Sequence, residues 1–313
     1  MNKIRLEYSK TDVLFPRINF FIDNIRNNKP FHFIRINHGI LDLIFLGHDN
    51  ISNFEKSFQN GNFKHISNRM FIGDKRDENT PIKKFHKDSN SDDVKSKMEI
   101  LLKVLKEYGI SDKIQIGVSL GIGLNTLHGV LDKSHPLQIG RDETINIINK
   151  NTNSQFYYSG VLKHYTIKKE IFKLFEELNS NKFKVVFVGM NYMKFFEDIF
   201  KIDNFHHINI PWTGAINNID EYIDEIKEIR KTNEKEMVMH STGHILSSYI
   251  AHELKDTDIF GLDIGRSFDL LVSHIKNEGI GSYWPTKEKL DKYIEYVDTV
   301  RHHSDLYTNS INN

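Results

Sequence analysis

Five consecutive residues, His240-Ser241-Thr242-Gly243-His244, offer the best set of groups for holding a ligand. They follow an apolar run, 236–239 (EMVM), and precede a helical pattern that begins near Ile245. Ser241 or Thr242 suits the cap of that helix, and Gly243 lets backbone approach a ligand closely. Free amides and the positive end of a helix suit a diphosphate. An ordinary strand-to-helix turn with a hydroxyl cap has the same composition. The next candidate is Gly261-x-Asp263-x-Gly265: Asp263 could accept hydrogen bonds from a ribose or sugar hydroxyl, or simply form the turn that Gly265 opens. A third stretch, 119–125 (SLGIGLN), has two glycines near a strand end. It lacks the spacing of a dinucleotide fingerprint and any phosphate-loop lysine.

Other chemistries find less support. The sixteen histidines include His206-His207, His302-His303 and the pair His240/His244, the last at a spacing that could chelate a metal. No HExxH is present, and His240 falls at a strand end rather than on the helix. No G-x-S-x-G elbow marks a hydrolase nucleophile. Phe156-Tyr157-Tyr158, Trp212 and Trp284 carry rings that could stack on a base or sugar, with Tyr158 and Trp212 the chosen candidates.

These groups need elements to position them, and the second half of the chain alternates cleanly. Apolar runs at 184–188 (KVVFV, ending at Gly189), 207–210 (HINI), 236–239 (EMVM) and 259–262 (IFGL, ending at Asp263) read as buried parallel strands. Helical stripes lie around them: Ile167, Ile171, Leu174, Phe175 and Leu178; Met193, Phe196, Ile199 and Phe200; Ile219, Tyr222, Ile223, Ile226 and Ile229; Ile245, Leu246, Tyr249, Ile250 and Leu254. In the first half, 31–36 (FHFIRI) and 114–118 read as strands, and Val94, Met98, Leu101, Leu102, Leu105 and Tyr108 mark a helix. The run 40–46 fits helix or strand. This order predicts an α/β fold with a mostly parallel, Rossmann-like sheet flanked by helices. One domain over 1–313 is expected, with a charged loop at 73–93 and a C-terminal helical extension at about 276–313.

Composition sets outer limits. At 313 residues and 39% hydrophobic the chain can bury an ordinary core. Lys+Arg and Asp+Glu both number 42, so no global field favours nucleic acid. The absence of cysteine excludes disulfides, thiolate metal sites and Cys nucleophiles. No run of about 18 apolar residues suggests a transmembrane helix, and MNKIRLEYSKTDVLF lacks the apolar stretch of a signal peptide. A cytoplasmic protein is expected.

The arrangement resembles the GT-D group of glycosyltransferases, whose N-terminal strand carries Arg-x-Gly-Asp-Gly-Glu. FHFIRINHGILDLI stands in that place. Arg35 and Gly39 match; Asn37 replaces the first Gly, His38 the Asp and Ile40 the Glu. The stretch SQFYYSGVLKHYTIKKEIFKLFEELNSNKFKVVFVGM is similar to the family's lead into its central strand. HINIPWTGAINNIDEYIDEIKE resembles its Pro-containing loop and helix, and MVMHSTGHILSSYIAHELKDTDIFGLDIGRSFD its C-terminal strand, Gly turn, helix and strand ending in Asp-Ile-Gly. The likeness spans most of 30–275.

The resemblance implies a nucleotide-sugar donor, commonly a UDP-sugar, and transfer to a glycan or glycolipid acceptor. Arg35, Asn37, His38, Gly39, Gly189, Ser241, Thr242, Gly243, Asp263 and Gly265 would then form the donor site, and Asp42, His240 and Asp269 are the candidate catalytic groups. The family's two carboxylates are expected to help hold a divalent cation, Mn²⁺ or Mg²⁺, against the diphosphate. Ile40 cannot do so, and His38 is a softer ligand. The expected substitute is cationic side chains and helix ends, with Arg35 and a protonated His38 foremost; Asp42 is the alternative, as a displaced carboxylate. Two further readings stay open. One is a non-catalytic module of the same fold that binds nucleotide sugar or glycan, or scaffolds glycan assembly. The other is a Rossmann-type dehydrogenase or methyltransferase.

Overall fold

The computed structural model describes residues 2–6, 11–36, 113–118, 155–211, 215–230, 234–242, 244–265 and 267–268. The helix expected over 94–108, the runs 40–46 and 119–125, the charged loop 73–93 and the C-terminal extension lie outside the described residues.

Among the described residues nine strands form one sheet: β1 (Asn2–Leu6), β2 (Thr11–Phe15), β3 (His32–Ile36), β4 (Ile114–Val118), β5 (Phe156–Tyr158), β6 (Lys184–Gly189), β7 (Phe205–Asn209), β8 (Glu236–His240) and β9 (Phe260–Asp263). The order across the sheet is β1-β2-β5-β4-β3-β9-β8-β6-β7. β1 pairs antiparallel with β2 at one edge, and every other pairing is parallel. The described helices are α1 (Ile18–Arg26), α2 (Val161–Ile167), α3 (Ile171–Ser180), α4 (Phe196–Phe200), α5 (Ile219–Ile229) and α6 (His244–Leu254). The chain therefore has the mostly parallel α/β sheet that the alternating pattern predicts.

Both faces of the sheet are covered, which is why β6 reads as an unbroken apolar run. Val186 and Val188 pack with Ile223 and Ile226 of α5 and Leu246 and Ile250 of α6. Val185 and Phe187 point the other way, into a core that contains Leu174 and Phe175 of α3 and Phe196 and Phe200 of α4. The chain thus leaves β6 toward one face and leaves the neighbouring β8 toward the other. Open α/β sheets form a crevice beyond the strand ends at such a reversal.

A phenylalanine cluster holds this end together. Phe175 stacks on Phe200 with centroids 4.0 Å apart, and Phe268, fully buried, lies 4.9 Å from Phe200. Each buried ring stabilises by roughly 1.5–3 kcal/mol. Phe268 follows β9 by five positions, so its burial fixes the turn that contains Asp263 and Gly265.

Three elements differ from the sequence reading. The stripe from Ile167 to Leu178 is two helices, because Lys169 adopts a left-handed conformation (φ 60) that ends α2 before α3 begins. The stripe from Met193 to Phe200 is a 3-10 turn, Asn191–Phe195, followed by the short α4. The aromatic triplet at 156–158 is strand β5. The sequence reading placed no element over α1, yet its Ile18, Phe21, Ile22 and Ile25 recur at helical spacing and are all buried.

Candidate functional site

The carboxyl ends of β3, β9 and β8 lie side by side and bring Arg35, Asp263 and His240 together. Asp263, 2% exposed, is the hub. Its Oδ1 accepts from the Gly265 backbone N–H at 3.0 Å and lies 3.2 Å from Arg35 Nη2. Its Oδ2 accepts from the Arg35 backbone N–H at 3.3 Å. The carboxylate therefore forms the turn and also braces the guanidinium. Gly265 has φ 43, and a Cβ there would fall on the Arg35 guanidinium, so both backbone conformation and space demand glycine. The Arg35 side chain is 16% exposed, and its Nε has no hydrogen-bond partner among the described residues. A fixed, partly exposed guanidinium suits an anionic ligand.

His240, fully buried at the end of β8, faces the same side of the sheet as Asp263, its register partner. Its carbonyl accepts from Ile264 N–H at 3.0 Å. Its Nδ1 lies 3.0 Å from Ser247 Oγ, which lies 3.1 Å from Thr242 Oγ1. Burial pushes the imidazole pKa down to about 4; Asp263 opposes that shift and Arg35 adds to it. His240 is thus neutral at pH 7. A general base works best with a pKa near the working pH and within reach of its substrate. His240 is fully buried, and its ring is held on Ser247 beside the turn that follows β8.

Ser241 and Thr242 lie between β8 and α6, both half-buried. Ser241 N–H donates to Val188 O at 2.9 Å, which ties the turn to β6 as well. Gly189, the last residue of β6, has a packing explanation: a Cβ there would fall on the Met193 thioether. Tyr158 lies on β5, with β4 and β3 between it and β9, and its buried ring packs against Phe15 with centroids 5.0 Å apart. It has no part in the Arg35–Asp263 cluster. Asn37, His38, Gly39, Asp42, Trp212, Gly243 and Asp269 lie outside the described residues.

Two residues near the cluster were not singled out in the sequence. Ser247 is one turn inside α6 and 1% exposed; a serine on the buried stripe of a helix was the available signal. His32 sits on the inward face of β3, 1% exposed, and burial drives its pKa down to about 3, with repulsion from His240 adding to the effect. The signal was its place in the alternation of FHFIRI. Its ring fills the space above Gly261, where a Cβ would meet it.

A divalent cation fits the described residues poorly. None of their His, Asp and Glu side chains form a group of three that could hold one. The one carboxylate in the cluster, Asp263, already neutralises Arg35. No described helix is long and apolar enough to cross a membrane.

No family model matches the chain, and no curated protein matches it. Two solved structures do. A selenomethionine-substituted structure of domain of unknown function 1792 is 16% identical, with 91% of this chain and 90% of that one covered and a TM-score of 0.49. The second, described as a highly conserved domain of unknown function 1792 with a distinct glycosyltransferase fold, is 14% identical over the same shares, with a TM-score of 0.50. At that identity the likeness speaks of architecture alone: the chain has a glycosyltransferase-like α/β fold similar to that of domain of unknown function 1792.

Proposed function

We propose that this protein is a glycosyltransferase that takes a sugar from a nucleotide-sugar donor, a UDP-sugar foremost, and passes it to a glycan or glycolipid acceptor. The observation that carries the reading is a half-buried guanidinium, braced by Asp263, with the single strand β9 between its own strand and the one leading to a hydroxyl-bearing turn at the start of α6. The cluster occupies the carboxyl ends of parallel strands, where open α/β sheets take ligands. The glycosyltransferase-like fold supports the same assignment.

In this reading the donor diphosphate spans the gap between Arg35 and the Ser241–Thr242 turn. Negative charge grows on the departing nucleotide as the sugar carbon–oxygen bond breaks. Arg35 and the amides of the α6 N-terminus lower the barrier by meeting that charge with fixed dipoles and a fixed cation. With His38 and Ile40 in place of the family's two carboxylates, and Asp263 committed to Arg35, no step is assigned to a divalent cation. Asp42 and Asp269 are the candidates for activating the acceptor hydroxyl, and Trp212 for stacking on the base or acceptor.

A panel of UDP-, GDP- and CMP-sugars, assayed for hydrolysis and transfer with and without Mn²⁺ or Mg²⁺, tests this reading. Turnover of at least one sugar, persisting in a chelator, is the expected result. A second reading, a non-catalytic nucleotide-sugar or glycan binder, is favoured by the loss of both family carboxylates at His38 and Ile40. It predicts saturable binding with no product from any donor.

A further inference from the structure

We propose that Ser247 is a positioning residue: its hydroxyl turns the Thr242 O–H outward, so that Thr242 donates to the phosphate of a bound nucleoside diphosphate. The inference rests on the donor site proposed above and adds a residue and a hydrogen-bond direction to it. Ser247 Oγ is buried between two partners, His240 Nδ1 at 3.0 Å and Thr242 Oγ1 at 3.1 Å. A hydroxyl has one proton to give, so this three-member chain runs in one direction or the other.

If His240 carries its proton on Nδ1, it donates to Ser247, Ser247 donates to Thr242, and the Thr242 proton is left to point elsewhere. If the proton is on Nε2, the chain reverses and Thr242 presents only lone pairs to its surroundings. The reversed chain also leaves an N–H on His240 Nε2, an atom that is buried and has no partner among the described residues. A buried unpaired donor is the costlier defect, because a lone pair without a partner is tolerated more often. Neutrality of the ring, which the chain requires in either direction, follows from its full burial. Among the described groups the Nδ1–H tautomer is therefore favoured, and the hydroxyl of the half-buried Thr242 becomes a donor at the turn before α6. There it would join the partly exposed guanidinium of Arg35.

The test combines UDP titration with ¹⁵N spectra of the His240 ring. Wild-type protein should show His240 protonated on Nδ1 both before and after UDP is added, with ring shifts that move on binding. Ser247→Ala and Thr242→Val should each weaken UDP about tenfold, the effect of one hydrogen bond to a charged group. Thr242→Ser, which keeps the hydroxyl, should stay within about twofold of wild type. Should Ser247→Ala fail to fold, the two Thr242 variants carry the test, since that side chain is half-buried at the turn. UDP binding by wild type that both Ser247→Ala and Thr242→Val retain in full, or an Nε2–H tautomer in the UDP complex, overturns the inference and leaves the donor site standing. Absence of UDP binding by wild type overturns the donor site itself, and this inference with it.

Discussion

Arg35 has one structural duty and one proposed duty, and they pull its mutational behaviour in one direction. Its partly exposed guanidinium pairs with a carboxylate that is almost fully buried, and the proposed donor diphosphate would meet the same guanidinium. Removing one member of a buried pair strands the other, at a cost of about 3–5 kcal/mol. Arg35→Ala should therefore lower the melting temperature as well as donor affinity, and loss of binding in that variant alone proves little. Arg35→Lys is the cleaner change. It keeps a positive charge beside Asp263 but gives up the planar fork, so stability should fall by about 1–2 kcal/mol while UDP affinity falls about tenfold or more. Thermal melts paired with calorimetric titration check this, and undiminished UDP affinity in Arg35→Lys would count against the guanidinium as the phosphate ligand. Gly265→Ala should damage the same atoms from the other side. It forces an L-residue into a left-handed conformation, costing about 1–2 kcal/mol, and its methyl group displaces the guanidinium. A Gly265→Ala protein that melts and binds UDP like wild type would contradict the account of that turn.

Among the elements, the turn after β9 depends on a side chain that touches no ligand. Phe268 packs into the aromatic cluster with Phe175, Phe196 and Phe200, and it ends the segment that contains Asp263 and Gly265. Phe268→Ala should destabilise the protein by about 3–5 kcal/mol and weaken donor binding through the loosened turn. A denaturant melt and a UDP titration on one sample separate the two effects. The elements themselves differed in legibility. β6, β8 and β9 could be read to within one or two residues, because strands buried on both faces are continuous apolar runs, here bounded by Gly189, His240 and Asp263. α1 went unread although its stripe was present, and β1 and β2 are short strands of mixed character that, among the described residues, pair with each other and with β5. β5 looked like a stacking platform because three aromatics in a row serve a strand and a ligand site equally well. The sequence led us to expect the strand ends near Arg35, His240 and Asp263 to converge on one crevice, but it did not show the direct Arg35–Asp263 ion pair. Those residues stand 228 positions apart and meet only because β9 inserts beside β3, a fact of sheet order that local pattern does not contain. The Ser247 bridge depended on helix register in the same way.

The molecule as a whole should show these buried groups in its response to pH. His240 and His32 have folded pKa values of about 4 and about 3, below the ordinary 6.5. The unfolded chain takes up protons that the folded chain refuses, so their contribution is complete above pH 6.5 and is lost as pH falls toward 4 and then 3. Glu236 works in the opposite sense. Burial raises its carboxyl to about 7 from 4.5, against the pull of Lys184 and Arg230, and neither of its oxygens has a hydrogen-bond partner among the described residues. Its contribution is present below pH 4.5 and is lost as pH rises through about 7. Glu236→Gln should therefore raise the melting temperature at pH 8 and leave it nearly unchanged at pH 4. Equal effects at both pH values would show that Glu236 is not a buried carboxyl of raised pKa. Through the two histidines the wild type should lose stability as pH falls below 6.5, with Glu236 offsetting part of that loss between about pH 7 and pH 4.5.

The central claim is that the ends of β3, β8 and β9 form a site for a sugar diphosphate, and a thermal-shift screen with UDP, GDP, CMP and their sugars tests it most directly. At a ligand concentration about 100 times its dissociation constant, binding adds roughly 2.7 kcal/mol to stability, a shift of several degrees. The account predicts such a shift with at least one nucleoside diphosphate or its sugar, retained in a chelator and much reduced in Arg35→Lys. No shift with any of them, or a shift with a nicotinamide cofactor or S-adenosylmethionine instead, would contradict it.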